Sequence, residues 1–166
     1  MLSIFLQIHA KFSSIDFGGC MCELLAAGGI KNSPLVAFNY LNELCLSGLY
    51  FNEFGVFRYV LDMVDCCPNI KKLNIAVVLG GNLEQHELDY NFSIKLNHLL
   101  EVKIEGITGS SAELKLIEYL LAISVVLEKL FFTLDYLDDK SEVKLYRELM
   151  GFPRASTKAR LICLEK

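Results

Sequence analysis

Six cysteines, at positions 20, 22, 45, 66, 67 and 163, are the first candidates for chemistry in this chain of 166 residues. A thiol can ligate a metal, pair as a disulfide or act as a nucleophile, and its neighbours decide which. Cys20-Met21-Cys22 and Cys66-Cys67 are spaced wrongly for a zinc site, which wants paired C-x-x-C or Cys/His sets. The segment Met1 to Ile8 is too short for a secretory core and lacks a basic start. Reduced, core-filling thiols in an intracellular protein, cytoplasmic or nuclear, are the expectation.

The other reactive types are equally scattered. His9, His86 and His98 share no ligand or triad spacing with a carboxylate or nucleophile, and His98 reads as a solvated residue just before a strand. No G-x-S-x-G, P-loop or G-x-G-x-x-G occurs; Gly18-Gly19, Gly28-Gly29 and Gly80-Gly81 are turn signals. Asp135-x-x-Asp138-Asp139 and Glu84-x-x-Glu87 read as solvated loop faces and helix caps; a divalent cation is their other use, without the EF-hand pattern. Asn91-Phe92-Ser93 matches a glycosylation sequon, a chance match without a secretion signal. No catalytic, metal or cofactor residue is therefore expected. A small α/β hydrolase or transferase, the competing class, would need a convergent polar pocket holding His98 or His86 beside a carboxylate.

Bulk properties narrow the field further. Net charge is −4 and the pI is near 5.4. The densest basic spots are Lys71-Lys72 and Arg154-x-x-x-Lys158-x-Arg160. Nucleic-acid binding wants many cations on one face, so no nucleic-acid partner is expected. Hydrophobic residues make up 53% and mean hydropathy is +0.38. No apolar run approaches the roughly 18 residues of a membrane span. The excess suits a parallel sheet covered by helices instead.

A repeat organises the chain. Leu41, Leu44, Leu46 and Leu49 recur as Leu99, Val102, Ile104 and Ile107, 58 positions later. Ile70, Leu73 and Ile75 recur as Leu127, Leu130 and Phe132, 57 positions later. Half-units also match, with steps of 29, 29 and 28 from Leu44 through Leu73 and Val102 to Leu130. A period of about 20–29 residues carrying L-x-x-L-x-L is the signature of leucine-rich repeats. Each unit supplies one short strand and buries its apolar face only against its neighbours. The expected fold is α/β: a leucine-rich-repeat-like solenoid fragment with about five short parallel strands on one face and helices on the other.

The elements follow. A helix is predicted from about Phe54 to Cys66, with Val56, Phe57, Val60, Leu61 and Val64 on one face, Asn52 as N-cap and Pro68 as stop. Residues 76–98 read as a long loop on the convex or lateral side, with room for a turn of helix. Ser110 and Glu113 form a capping box for a helix whose buried face carries Leu114, Ile117, Leu120 and Leu121. A third helix is predicted over about Ser141 to Met150. The tail from Arg160 to Leu164 alternates towards a last strand 32 positions after Leu130. Residues 1–40 resist the scheme; Leu24 to Gly29 looks like a short helix with a glycine cap.

Together these stretches resemble a known family. Leu99 to Gly109, then Ala112 to Ile117, Leu120-Leu121 and Val126 to Leu130, are similar to the opening of the plant FBD domain. Phe152-Pro153-Arg154-Ala155-Ser156 is similar to its ending. Leu25 to Gly29 and Cys67 to Leu73 resemble the leucine-rich-repeat part of plant F-box/FBD/LRR-repeat proteins. The resemblance implies a division into an irregular partial repeat (1–40), LRR-like repeats (41–95) and an FBD-like domain (96–166). It implies a protein–protein interaction role as the C-terminal substrate-recognition part of an F-box-type SCF ubiquitin ligase receptor, with a target protein that the sequence does not identify. The alternative is a truncated or stand-alone FBD/LRR binding protein without a ligase role. No F-box is seen in the chain, so direct binding to the Skp adaptor is not expected.

Strand alternation locates the candidate partner face. The residues predicted to point away from the core are Glu43, Cys45, Lys72, Asn74, Glu101, Lys103, Glu105, Lys129, Phe131 and Thr133. They form a mixed-charge ladder with one aromatic, and the ladder either meets a partner or merely solvates the concave sheet. Phe131 either carries interface energy or packs under the third helix.

Overall fold

The computed structural model describes residues 14–18, 38–51, 56–79 and 95–165. Among these residues six strands form one sheet: β1 (Ser14–Phe17), β2 (Glu43–Tyr50), β3 (Lys72–Leu79), β4 (Glu101–Ile107), β5 (Lys129–Leu134) and β6 (Arg160–Cys163). Their spatial order is their chain order, and every neighbouring pair is parallel. Three helices are described: α1 (Val56–Asp65) between β2 and β3, α2 (Ser111–Ile123) between β4 and β5, and α3 (Asp139–Gly151) between β5 and β6. The protein is thus α/β with a parallel sheet.

The repeat spacing becomes sheet register. Leu44, Leu73, Val102, Leu130 and Leu161 face one another across β2 to β6, and the backbone of Ile15 is in register with Leu44. Leu46, Ile75, Ile104 and Phe132 form the next inward row. Leu44, Leu73, Val102 and Leu130 are all 0% exposed. Burying each such side chain contributes about 1.5–3 kcal/mol. They share one core with the inner faces of the helices. A second recurring bond fixes the strand starts: the amides of Lys71, Leu100, Glu128 and Arg160 donate to the carbonyls of Asn42, Lys71, Leu100 and Glu128, at 2.8–3.0 Å.

Local chemistry explains the helix ends. Ser110 Oγ accepts from the Glu113 amide, and the Glu113 carboxylate accepts from the Ser110 amide at 2.8 Å. Glu113 is also buried and takes the Thr108 amide and hydroxyl. For α3 the cap is Asp138, whose carboxylate accepts from the Ser141 amide at 2.9 Å. Those bonds from Ser141 hold the Asp138 carboxyl below its ordinary range. On α1, Arg58 and Asp62 pair at 2.8 Å across one turn, away from the core.

Several expectations need correction. The stretch from 76 is not all loop: β3 runs on to Leu79. The nominally irregular segment 1–40 contributes β1, a sixth strand in register with β2. In α2 it is Leu116, rather than Leu114, that is fully buried, because Leu114 lies one position off the inward stripe. The helix α3 begins two residues before Ser141, because Asp138 supplies the cap. In β6, Leu161 and not Ile162 opposes Leu130, a spacing of 31 rather than 32. The thiols divide too. Cys66 and Cys67 are buried, and burial pushes them up to about 11 and about 12, with Asp65 and then Asp62 adding to the first and Cys66 to the second. Cys45 is half-buried on the face away from the core, and Cys163 is exposed on β6, the last strand of the described sheet, although it lies in register with Phe132, so these two do not fill the core. Asn52, Leu24 to Gly29, His9, His86, Cys20, Cys22, Gly19, Gly80-Gly81, Glu84, Glu87 and Asn91 lie outside the described residues.

Candidate protein-recognition face

Because side chains alternate along a strand, placing one leucine row inward places the row between outward. The face opposite the leucine rows is consequently polar, and all ten residues singled out above lie on it. Across the strands, Ser14, Glu43, Lys72, Glu101, Lys129 and Arg160 are direct register partners. The next row is Asp16, Cys45, Asn74, Lys103, Phe131 and Ile162. Glu105 lies beside Ala76 in a third, shorter row. Lys72 is exposed; the other nine are half-buried, since neighbouring strands shield each side chain's stem.

Hydrogen bonds tie the rows into a connected surface. Asn74 Nδ2 donates to Glu43 Oε1 at 2.9 Å and lies 3.3 Å from Cys45 Sγ. Ser47 Oγ donates to Asp16 Oδ1 at 3.3 Å. Lys103 and Glu105 form an ion pair two residues apart on β4. Thr133 is used internally: its Oγ1 accepts the Gly106 amide at 3.0 Å where β4 bulges. A shallow groove of about 250 Å³ is lined by Asn74, Ile75, Lys103 and Glu105.

Phe131 resolves one alternative. It sits on the polar face between Lys103 and Ile162, while its neighbour Phe132 packs against Tyr146 of α3, ring centroids 6.1 Å apart. Cys163 likewise turns towards α3. Its hydrogen bond to the Tyr146 phenol, followed by desolvation, raises that phenol above its ordinary value. Sequence alternation missed Ser14, Asp16, Arg160 and Ile162 on this face. Counting 29 residues back from Leu44 to Ile15 would have found the first two; the last two needed the register of β6.

The reactive residues elsewhere do not converge. His98 is exposed just before β4. Among the described residues, no group of three or more His, Cys, Asp or Glu side chains is placed to share a metal ion. No helix among them is long and apolar enough to cross a membrane. On the helix side, a cleft of about 390 Å³ separates the start of α2 from α3 and is lined by Thr108, Ser111, Leu114, Lys144, Leu145 and Glu148, among others.

Comparison with known proteins adds a relationship. The chain is 30% identical over 150 residues to an F-box/FBD/LRR-repeat protein of Arabidopsis thaliana, covering 86% of this chain and 36% of the relative. An FBD-associated F-box protein of the same plant is 33% identical over 132 residues, 79% of this chain and 28% of that one. Another Arabidopsis F-box/FBD/LRR-repeat protein is 35% identical over 124 residues, 72% of this chain and 26% of the relative. The chain spans about a third of the length of the curated relatives it matches. No family model matches it. No solved structure matches it either.

Proposed function

The chain belongs to the plant F-box/FBD/LRR-repeat family, and from that premise we propose that the polar face of its sheet is a protein-recognition surface. In this reading the parallel sheet is part of a leucine-rich-repeat-like solenoid. Residues 41–95 supply repeat units and residues 96–166 the FBD-like end, the sheet running unbroken through both. The larger role we propose is substrate recognition within an F-box-type receptor of an SCF ubiquitin ligase.

One observation carries the proposal. From β2 to β5 the inward rows are buried and aliphatic or aromatic, whereas the outward rows hold mostly charged and polar side chains in register, with Phe131 and Ile162 as an apolar pair at the β5–β6 end. A rigid sheet presenting such an array gives fixed positions for complementary groups, which confers specificity on an encounter.

The test is comparative capture from plant extract. The wild-type chain, N74R on the polar face and K144E on the helix side serve as matched baits. Proteins retained by wild type and K144E but lost with N74R support the reading. A set of bound proteins that N74R and K144E change alike refutes it, provided both variants melt as wild type does.

A further inference from the structure

The charge alternation of the polar face fails at one step. Glu43, Lys72, Glu101 and Lys129 succeed one another with opposite charges directly opposed, which favours strand pairing. The next register partner is Arg160, so Lys129 faces a like charge, an arrangement that disfavours pairing. Among the described residues, neither cation has a carboxylate oxygen within 4.0 Å. Arg160 is exposed and Lys129 half-buried.

Two residues along the same strands, the next direct partners are apolar: Phe131 opposite Ile162, both half-buried on the polar face. Strand geometry puts side chains two positions apart at roughly 6.6–6.8 Å. Among the described residues, the β5–β6 end therefore offers two adjacent cations that make no ion pair within 4.0 Å, with Glu101 on the far side of Lys129, and, one step along, a small apolar shelf. A single extended ligand can satisfy both, because its own side chains at i and i+2 point the same way at the same spacing.

We propose that this end of the polar face binds an extended segment of a partner protein carrying an acidic residue two positions from an aromatic or aliphatic one. The carboxylate accepts from the Arg160 guanidinium and the Lys129 ammonium, and the apolar side chain covers Phe131 and Ile162. Charge-assisted bonds to Arg, in its bidentate geometry, are the stronger kind. The inference rests on the polar face being the recognition surface and specifies what it recognises.

Fluorescence anisotropy at low ionic strength with a labelled heptapeptide, Gly-Ser-Glu-Thr-Phe-Ser-Gly, tests it against the same peptide with Lys for Glu. The acidic peptide should bind roughly tenfold tighter. R160E restores alternation, so it should melt no lower than wild type while reversing the preference towards the Lys peptide. Equal binding of the two peptides to wild type, or an unchanged preference in a well-folded R160E, overturns the inference. If N74R still abolishes partner capture in that case, the acidic assignment alone is wrong; if capture is also unaffected, the recognition face itself is misplaced.

Discussion

Replacing Gly106 with alanine probes how closely β3 and β4 approach. Gly106 adopts φ +80, and a Cβ there would lie 2.6 Å from the Val77 carbonyl oxygen on β3. The backbone conformation alone costs a non-glycine residue about 1–2 kcal/mol. The contact adds strain of the overpacking kind, roughly 1–3 kcal/mol, because the obstacle is backbone and not a side chain that can swing away. The sum is about 2–5 kcal/mol, or a melting temperature lower by roughly 5–15 °C for a chain of this size. Gly109 separates the two contributions, since it has φ +81 but its Cβ would meet only Leu145 Cδ1, at 3.9 Å. G109A should therefore pay the conformational cost alone. Gly151, with nothing within 4 Å of its Cβ position, is the neutral control. Urea denaturation followed by far-ultraviolet circular dichroism gives the three free energies by linear extrapolation. If G106A proves no less stable than G109A, the close approach of the strands at the bulge is wrong.

Two further outcomes follow from buried groups. E113A strips the acceptor from Thr108 and Ser110 inside the fold and should cost about 2–4 kcal/mol in urea melts; a loss within about 0.5 kcal/mol, the usual range for surface changes, would contradict the capping role. Cys66 and Cys67 ionise near 11 and 12 when folded, above the 9.0 of an ordinary thiol, so the folded state keeps protons that the unfolded state releases. Stability from these thiols is complete below pH 9 and falls as pH rises from there through the folded values. The double variant C66A/C67A should therefore show a shallower loss of stability between pH 9 and 11 than wild type in parallel melts; parallel curves would reject the buried-thiol account.

Much of this architecture was legible because a parallel sheet with crossovers of near-constant length turns sequence spacing into spatial register. Leu44, Leu73, Val102 and Leu130 were marked by their intervals, and the structure sets them side by side. The outward residues followed from alternation alone. What spacing could not supply was the tail. The crossover through α3 makes the last step 31 residues, and a slip of one residue exchanges the faces of a strand. A spacing of 32 turns Leu161 outward and Ile162 inward, and it removes Arg160 from its place opposite Lys129. The opposed cations are thus a property of register that composition and periodicity do not carry. β1 was missed for a different reason: Ser14–Phe17 is four residues, too few for periodicity to stand out without its neighbour. The glycines at the strand bulges were also overlooked, although Gly48 and Gly106 stand 58 positions apart like the leucines, with φ of 70 and 80.

The strict agreement of chain order with spatial order has a kinetic consequence. No strand in the described sheet waits for a partner made much later, since each docks on the one completed about 30 residues before it. Loop-closure entropy grows only slowly with length and is met here in equal instalments. Assembly can therefore begin at the best-packed pair and zip outward in both directions, and unfolding should run the same path in reverse. On that path the outermost strands of the described sheet, β1 and β6, exchange their amide hydrogens first, and β6 is the strand that carries Arg160.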